Sequence, residues 1–329
     1  MSFWGEEELK TQAIATARTA FGESWTPSRW AIGPGRLELL GNHVDYNGGL
    51  VLAGAIDRAV MIGISETGSP DKVEFITPDI SSGRWEIDLD TIGDWHAAPG
   101  ESGTEAYARG VAASLLGRGI AICDELQLSI VGNVPLGFGM SSSAGLCVSL
   151  VLALAADTPS DRDIVLIAQD GEHRAGAPVG AMDQSASVAG GIIIFDGADI
   201  SFRRILPDLG DYVFAVADSG VDHSNATSSY PARVQESRAA LEILRERLDP
   251  DLASLGAITP EQWSEVESSG DRWLDQTLLE RTRHVVTEMA RVREGIGAVK
   301  TADWSRFGQL MNASGRSSAI DYAISHPRV

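Results

Sequence analysis

The spacing of apolar and polar residues predicts a chain that starts rich in strands and ends rich in helices. Residues 6–21 keep helical spacing up to Gly22. Residues 30–40 read as mostly extended, broken by a turn at Gly33-Pro34-Gly35. Residues 51–64 are apolar and rich in β-branched side chains, which predicts strands; residues 73–89 predict two shorter ones around Ser81-Ser82-Gly83. Residues 107–116 predict a helix that stops at Gly117, and residues 126–131 alternate as a strand does. A loop over residues 135–139 leads into a helix over 141–156, whose serines suit an N-terminal cap. A helix over 161–174 follows, then strands over 190–195 and 212–218 and long helices over 231–248 and 279–300. Strands first and helices later point to an α+β fold rather than a doubly wound sheet. The expected domains are residues 1–204 and 205–329.

The 329 residues suffice for one large domain or two of ordinary size. Hydrophobic residues make up 43% and charged residues 22%, as in a soluble globular protein with a substantial core. The net charge of −20 would repel a phosphate backbone, which argues against general nucleic-acid binding. It would also repel a free nucleotide, so a nucleotide site needs local positive potential or a bound metal. Cys123 and Cys147 make neither a disulfide framework nor a zinc pattern and read as reduced thiols. The acidic start, with Glu6, Glu7 and Glu8, is no signal peptide, and the apolar run over 144–156 is too short to span a bilayer. A cytoplasmic protein without a membrane partner is expected.

Three polar segments carry candidate chemistry. Val134-Pro135-Leu136-Gly137-Phe138-Gly139-Met140-Ser141-Ser142-Ser143-Ala144 follows a strand and opens a helix. Its glycines allow backbone N–H groups to approach an anion, and the helix N-terminus favours phosphate. No lysine follows, so this is not the Gly-x-x-x-x-Gly-Lys-Ser/Thr loop, and the residues alone fit an ordinary serine-capped turn equally well. In the segment from Gly35 to Gly49, Asn42, His43 and Asp45 together donate to and accept from hydroxyls, which suits a sugar; singly, each also fits a turn. Glu172-His173-Arg174, followed by Gly180-Ala181-Met182-Asp183-Gln184, offers one carboxylate to receive a hydroxyl proton and another to hold Mg²⁺. Glu172 fits a solvated helix face and Asp183 a cap just as well when each is taken alone.

Together these segments resemble the GHMP small-molecule kinases and, within them, the galactokinase family. Gly35 to Gly49 is similar to the signature Gly-Arg-x-Asn-Leu-Ile-Gly-Glu-His-Thr-Asp-Tyr-Asn-Gly-Gly. Residues 135–144 resemble the second, ATP-binding motif, and residues 172–184 resemble Glu-His … Gly-x-Met-Asp-Gln. Asp218-Ser219-Gly220-Val221-Asp222-His223-Ser224 with Ser229-Tyr230-Pro231-Ala232-Arg233 resembles the segment that brings a sugar-contacting tyrosine. Leu310-Met311-Asn312-Ala313-Ser314 and Asp321-Tyr322-Ala323-Ile324-Ser325-His326-Pro327 resemble a later stretch.

The resemblance implies a two-domain α+β fold with the active site between the domains. The N-terminal domain would be ribosomal protein S5 domain 2-like, and an incomplete ferredoxin-like domain would follow. It implies a sugar-1-kinase using ATP and Mg²⁺, with a small sugar and ATP as its partners. Asp183 would be the catalytic aspartate, as base or as anchor for the attacking hydroxyl, and Arg36 would stabilise charge on the phosphoryl group. Asn42, His43, Asp45 and Tyr230 would hold the sugar. Gly137, Gly139, Ser141, Ser142 and Ser143 would cradle phosphates, and Ser143 and Glu172 would ligate Mg²⁺.

Three departures bear on this reading. Asn42 stands where the family usually has Glu, so arabinose or galacturonate becomes a candidate beside galactose. Asp222 stands where the family often has Arg or Lys, and Thr104 where an aromatic residue near adenine is common. The third, glycine-rich motif is absent before Val329, and exposed sheet edges and apolar patches are expected in consequence. That absence keeps a sugar sensor without turnover, or an inactive fragment, as the alternative to an active kinase. A mevalonate or homoserine kinase fits the hydroxyl-recognising cluster less well. His96, His284 and His326 have no metal-like spacing and read as surface or core residues. Trp85, Trp95 and Trp304 read as packing, and residues 261–275 as a solvated acidic face.

Overall fold

The computed structural model describes residues 5–67, 69, 71–78, 84–123, 125–177, 179–220 and 230–328. The expected turn at Ser81-Ser82-Gly83 and the residue Asp222 lie outside them. The chain forms two compact units that interleave in sequence. The first takes Met1–Arg36, Ala55–Leu136 and Met140–Gly190, the second Leu37–Gly54, Gly137–Gly139 and Gly191–Val329. The single boundary expected at 204/205 is therefore replaced by several crossings, because strands β1 (Arg29–Leu40) and β2 (Leu50–Ser65) each supply residues to both units.

In the first unit the later half of β2 pairs antiparallel with β5 (Leu126–Gly132). β5 runs parallel to β3 (Lys72–Ile76), which pairs antiparallel with β4 (Trp85–Asp88). Three helices complete the main core, α2 (Thr104–Gly117), α3 (Ser142–Leu154) and α4 (Asp161–Arg174), while α1 (Glu6–Phe21) packs Leu9 and Ala13 in a smaller cluster with Met61 and Val131. Alternate strand residues Ile62, Ile64, Phe75 and Leu128 pack against Val111, Leu115, Leu150, Val151 and Ile167 from the helices. This is the period-2 to period-3.6 match that buries one face of each element. The short helix α5 (Met182–Ala189) packs on α3 and α4.

In the second unit the early half of β2 pairs with β6 (Ile192–Asp196), and β6 with β7 (Ser201–Ile205), all antiparallel. Helices α6 (Tyr230–Arg247), α7 (Pro260–Ser269), α8 (Gln276–Lys300) and α9 (Trp304–Ile320) follow. Leu39, Leu40, Leu52 and Ile194 meet Val292, Val299, Phe307 and Leu310 in a separate apolar core. Leu206, Tyr212, Val213, Val216 and Ile320 are large apolar residues left exposed. Among the described residues no helix is long and apolar enough to cross a membrane.

Several elements differ from the sequence reading for identifiable reasons. Gly33-Pro34-Gly35 is not a turn but the interior of β1. A Cβ on Gly33 would lie 1.9 Å from the Gly145 carbonyl oxygen, and one on Gly35 2.7 Å from that of Met140. These glycines mark a close backbone approach rather than a reversal of the chain. Residues 212–218 form no strand: Phe214 is spent on edge-to-face contacts with Trp304 and Phe307, and among the described residues no ladder partner is present. The acidic stretch contains α7, opened by a capping box between Thr259 and Gln262, with Val266 buried beneath it. The serines do not cap α3, because the Ser141 hydroxyl is directed elsewhere.

The contact between β1 and α3 is a sharp test of this packing. Gly33→Ala should destabilise the protein by about 1–3 kcal/mol or more, since neither backbone can retreat without disturbing the core. Gly308→Ala on α9, where an added Cβ meets nothing within 4 Å, should instead stabilise by about 0.5–1 kcal/mol. Denaturant unfolding of the two variants measures both.

Candidate functional site

The first unit gathers its charged candidates around α5. Asp183 sits in the first turn of that helix, where the positive end of the dipole favours an anion. Arg36, at the point where β1 leaves the first unit, grips it as a fork: Nε donates to Oδ1 at 2.7 Å and Nη2 to Oδ2 at 2.7 Å. The Arg36 backbone N–H donates to the Met140 carbonyl at 3.1 Å, which ties the residue to the glycine–serine loop as well as to α5. Ser141 completes the set. It adopts a left-handed backbone with φ 52° and donates its hydroxyl to Asp183 Oδ2 instead of capping α3. Three donors from two residues thus converge on the one carboxylate.

Beside this fork lies a buried carboxylate. Glu172, on α4, is 1% exposed and accepts hydrogen bonds from Gln184 Nε2 at 2.6 Å and from Ser143. Burial lifts its carboxyl from 4.5 to about 7, and Asp183 adds to the rise; Ser143, Gln184 and Arg36 oppose it. Ser143 also bonds Tyr107 of α2, whose phenol is raised to about 12 mainly by burial, with the Glu172 charge adding to it. Gln184 Oε1 is buried without a hydrogen-bond partner among the described residues. A carboxylate, a hydroxyl and an orphaned amide oxygen form a hard-oxygen set suited to a small divalent cation. Among the described residues no group of three or more His, Cys, Asp or Glu is placed to hold a metal. A cation here would have to draw further oxygens from elsewhere.

The second unit holds the other candidates in an aromatic cluster. Val44 and a 3₁₀ turn over Asp45–Asn47 follow His43, which has a left-handed φ of 61°. The His43 ring lies 5.2 Å from that of Tyr322, 5.8 Å from Tyr230 and 6.0 Å from Tyr46. Burial lowers its pKa to about 4, and the nearby His284 and Arg233 push the same way, so the ring is neutral near pH 7. Tyr46 and Tyr322 share a hydroxyl–hydroxyl bond of 2.7 Å, and Ser237 extends the chain at 2.9 Å. Burial raises both phenols, so they remain protonated. Asp45, half-buried, raises both further through its charge. Asn42 donates its amide to Ser318 Oγ at 2.7 Å. The result is a set of neutral donors and acceptors against ring faces, with the Asp45 carboxylate beside them, the chemistry that recognises hydroxyls and C–H surfaces.

The structure thus brings Arg36, Asp183, Ser141, Ser143 and Glu172 together in one unit, and Asn42, His43, Asp45 and Tyr230 in the other. Gly137 and Gly139 have left-handed φ angles of 77° and 69°, and Ser142 begins α3. Sequence reasoning gave no role to Tyr107, Gln184, His284, Glu288, Ser317 or Ser318. One signal was available: His284 and Glu288 are polar, four residues apart, and lie on the face of α8 that also buries Val285, Met289 and Val292. His96 and His326 are exposed and Trp304 is buried, in line with their reading as surface and packing residues.

Known proteins extend these observations. The family pattern described as the galactokinase galactose-binding signature matches residues 18–66, and that of the GHMP kinases N-terminal domain matches residues 106–191. Galactokinase of Limosilactobacillus fermentum is 32% identical over 302 residues, spanning 89% of this chain and 75% of that protein. Galactokinase of Mycobacterium tuberculosis is 33% identical over 313 residues, spanning 90% of this chain and 79% of that protein. The crystal structure of Lactococcus lactis galactokinase complexed with galactose superposes with a TM-score of 0.79 at 26% identity, covering 98% of this chain and 81% of that one. Methanococcus jannaschii mevalonate kinase, at 16% identity and a TM-score of 0.56 over 92% of this chain and 81% of that one, shares the fold. The chain belongs to the galactokinase family of sugar kinases, within the GHMP kinases.

Proposed function

We propose that this sugar kinase transfers the γ-phosphoryl group of ATP to the anomeric hydroxyl of galactose or a close relative. The observation that carries the reading is the Arg36–Asp183 fork with Ser141 on its open side, in a chain of this family. Phosphoryl transfer needs positioning and charge neutralisation more than covalent catalysis. Asp183 accepts the hydrogen bond of the attacking hydroxyl and takes its proton as the oxygen bonds to phosphorus and ADP departs. Arg36 fixes the orientation of that carboxylate and places a permanent positive charge at the fork. His43, Asp45, Tyr230 and Asn42 hold sugar hydroxyls. Gly137, Gly139, Ser141, Ser142 and Ser143 line the phosphates through backbone N–H groups and hydroxyls.

Mg²⁺ fits the oxygen set of Ser143 and Glu172, with Gln184 Oε1 adjoining it. When bound, it would neutralise charge on the ATP phosphates. Burial holds the Glu172 carboxyl up at about 7 despite the nearby Arg36 charge, and a divalent cation would add positive charge beside it. The sugar's identity turns on Asn42. A neutral amide tied to Ser318 repels a uronate less than a carboxylate at that position would. Galacturonate and arabinose therefore stand beside galactose as substrates of the same site.

Three outcomes follow. With ATP, Mg²⁺ and a panel of galactose, arabinose, galacturonate and glucuronate, one sugar should drive ADP release. Asp183→Ala and Asp183→Asn should each reduce that release by at least about 100-fold. Sugar binding without turnover in the native chain would instead make the protein a sensor. Asn42→Glu should shift the kcat/KM ratio of galactose to galacturonate by about tenfold or more toward galactose; an unchanged ratio would remove Asn42 from specificity. Glu172 carries a pH signature. Its folded-state pKa is raised, so its contribution to stability is complete below about pH 4.5 and is lost as pH rises through about 7. Without divalent cations that loss amounts to about 3 kcal/mol. Unfolding curves from about pH 5 to 8 should flatten in Glu172→Gln.

A further inference from the structure

We propose that Glu288 is a positioning residue that holds the sugar-binding turn of the second unit in its working shape. The proposal rests on the reading of His43 and its neighbours as the sugar site. Glu288 lies on α8 and is 0% exposed. A buried carboxylate is costly unless its oxygens are filled by donors, and the donors here are informative. Oε1 accepts the backbone N–H of Gly41 at 2.9 Å, the backbone N–H of Asn42 at 3.3 Å and the hydroxyl of Ser314 at 2.6 Å. Oε2 accepts from Arg291 Nε at 2.6 Å. The carboxylate is therefore wrapped by the peptide groups of the segment that presents Asn42 and His43.

One helical turn earlier, His284 takes the carbonyl side of the same residue, Asn42. Its Nε2 donates to the Asn42 carbonyl at 2.8 Å, since a carbonyl can only accept. Two side chains four residues apart on α8 thus bind the N–H of Gly41 and both the N–H and C=O of Asn42. These groups belong to a turn no ladder can satisfy. Gly41 has φ 106°, where a Cβ would meet the Leu50 carbonyl oxygen at 2.8 Å, and His43 has φ 61°. A non-glycine residue in the left-handed region persists only where its surroundings impose it. Glu288 and His284 impose it, and the consequence is the direction of the His43 ring toward Tyr46, Tyr230 and Tyr322.

The test compares the native chain with Glu288→Leu, Glu288→Gln and Ser314→Ala. Gln retains an acceptor for the two backbone N–H groups, whereas Leu fills the space and offers none. Sugar KM, ATP KM and kcat are read by ADP release, and backbone hydrogen exchange is followed across both units. Glu288→Leu should raise sugar KM at least about tenfold, leave ATP KM within about twofold and speed exchange at Gly41 and Asn42. Glu288→Gln should recover most of the sugar KM. Ser314→Ala, a milder change that removes one donor from the same oxygen, should raise sugar KM slightly and remain informative should the leucine variant fail to fold. Equal loss for sugar and ATP, or unchanged exchange at Gly41 and Asn42 in the variants, would overturn the proposal. Absence of sugar turnover in the native chain would count against the kinase reading alone, and the exchange measurement would still decide the role of Glu288.

Discussion

The arrangement around α5 depends on one cation and one anion locked together, Arg36 and Asp183. The chain carries a net charge of −20, so positive potential is scarce and has to be placed deliberately. Arg36 supplies it. Its guanidinium has a planar fork that matches both oxygens of Asp183, and lysine would offer only a point charge. The fork fixes the aspartate, the aspartate draws Ser141 out of its capping role, and the strained left-handed serine shapes the start of α3. Half-burial of the pair strengthens the attraction relative to water without the full cost of a dry interior.

Backbone proximity is the second constraint. The loop before α3 meets β1 only because Gly33, Gly35 and Gly145 carry no side chains at the contact. That contact holds the Met140 carbonyl against the Arg36 amide. The same economy recurs where Gly110 of α2 meets the backbone of Gly171, the residue before Glu172. Close helix packing of this kind gives the buried carboxylate a rigid floor, which keeps its oxygens near Ser143 and Gln184.

The second unit uses the opposite electrostatic strategy. The rings of its aromatic cluster are kept neutral: burial lowers the His43 imidazole and raises the Tyr46 and Tyr322 phenols. Neutral donors and acceptors can pair with uncharged hydroxyls without a desolvated charge to compensate. Glu288, a buried carboxylate of the same unit, accepts from two backbone N–H groups, a hydroxyl and an arginine.

The sequence by itself determined the elements whose period is local. α1 and α4 run over the residues their spacing marked, and the strands β2, β3, β5 and β6 lie within a residue or two of the apolar runs that announced them. It also determined which side chains are available for chemistry, because the glycine–serine loop and the polar segment from Gly35 to Gly49 are contiguous. Only the tertiary structure decided which of these groups meet. Arg36 finds Asp183 across 147 residues, and Glu288 finds Gly41 across 247. It also placed Gly33-Pro34-Gly35, an apparent turn, in the interior of β1 and, among the described residues, left 212–218 without a ladder partner. Helix and strand periods are written into neighbouring residues, whereas the partner of a buried polar group is chosen by chain closure, which no local pattern encodes.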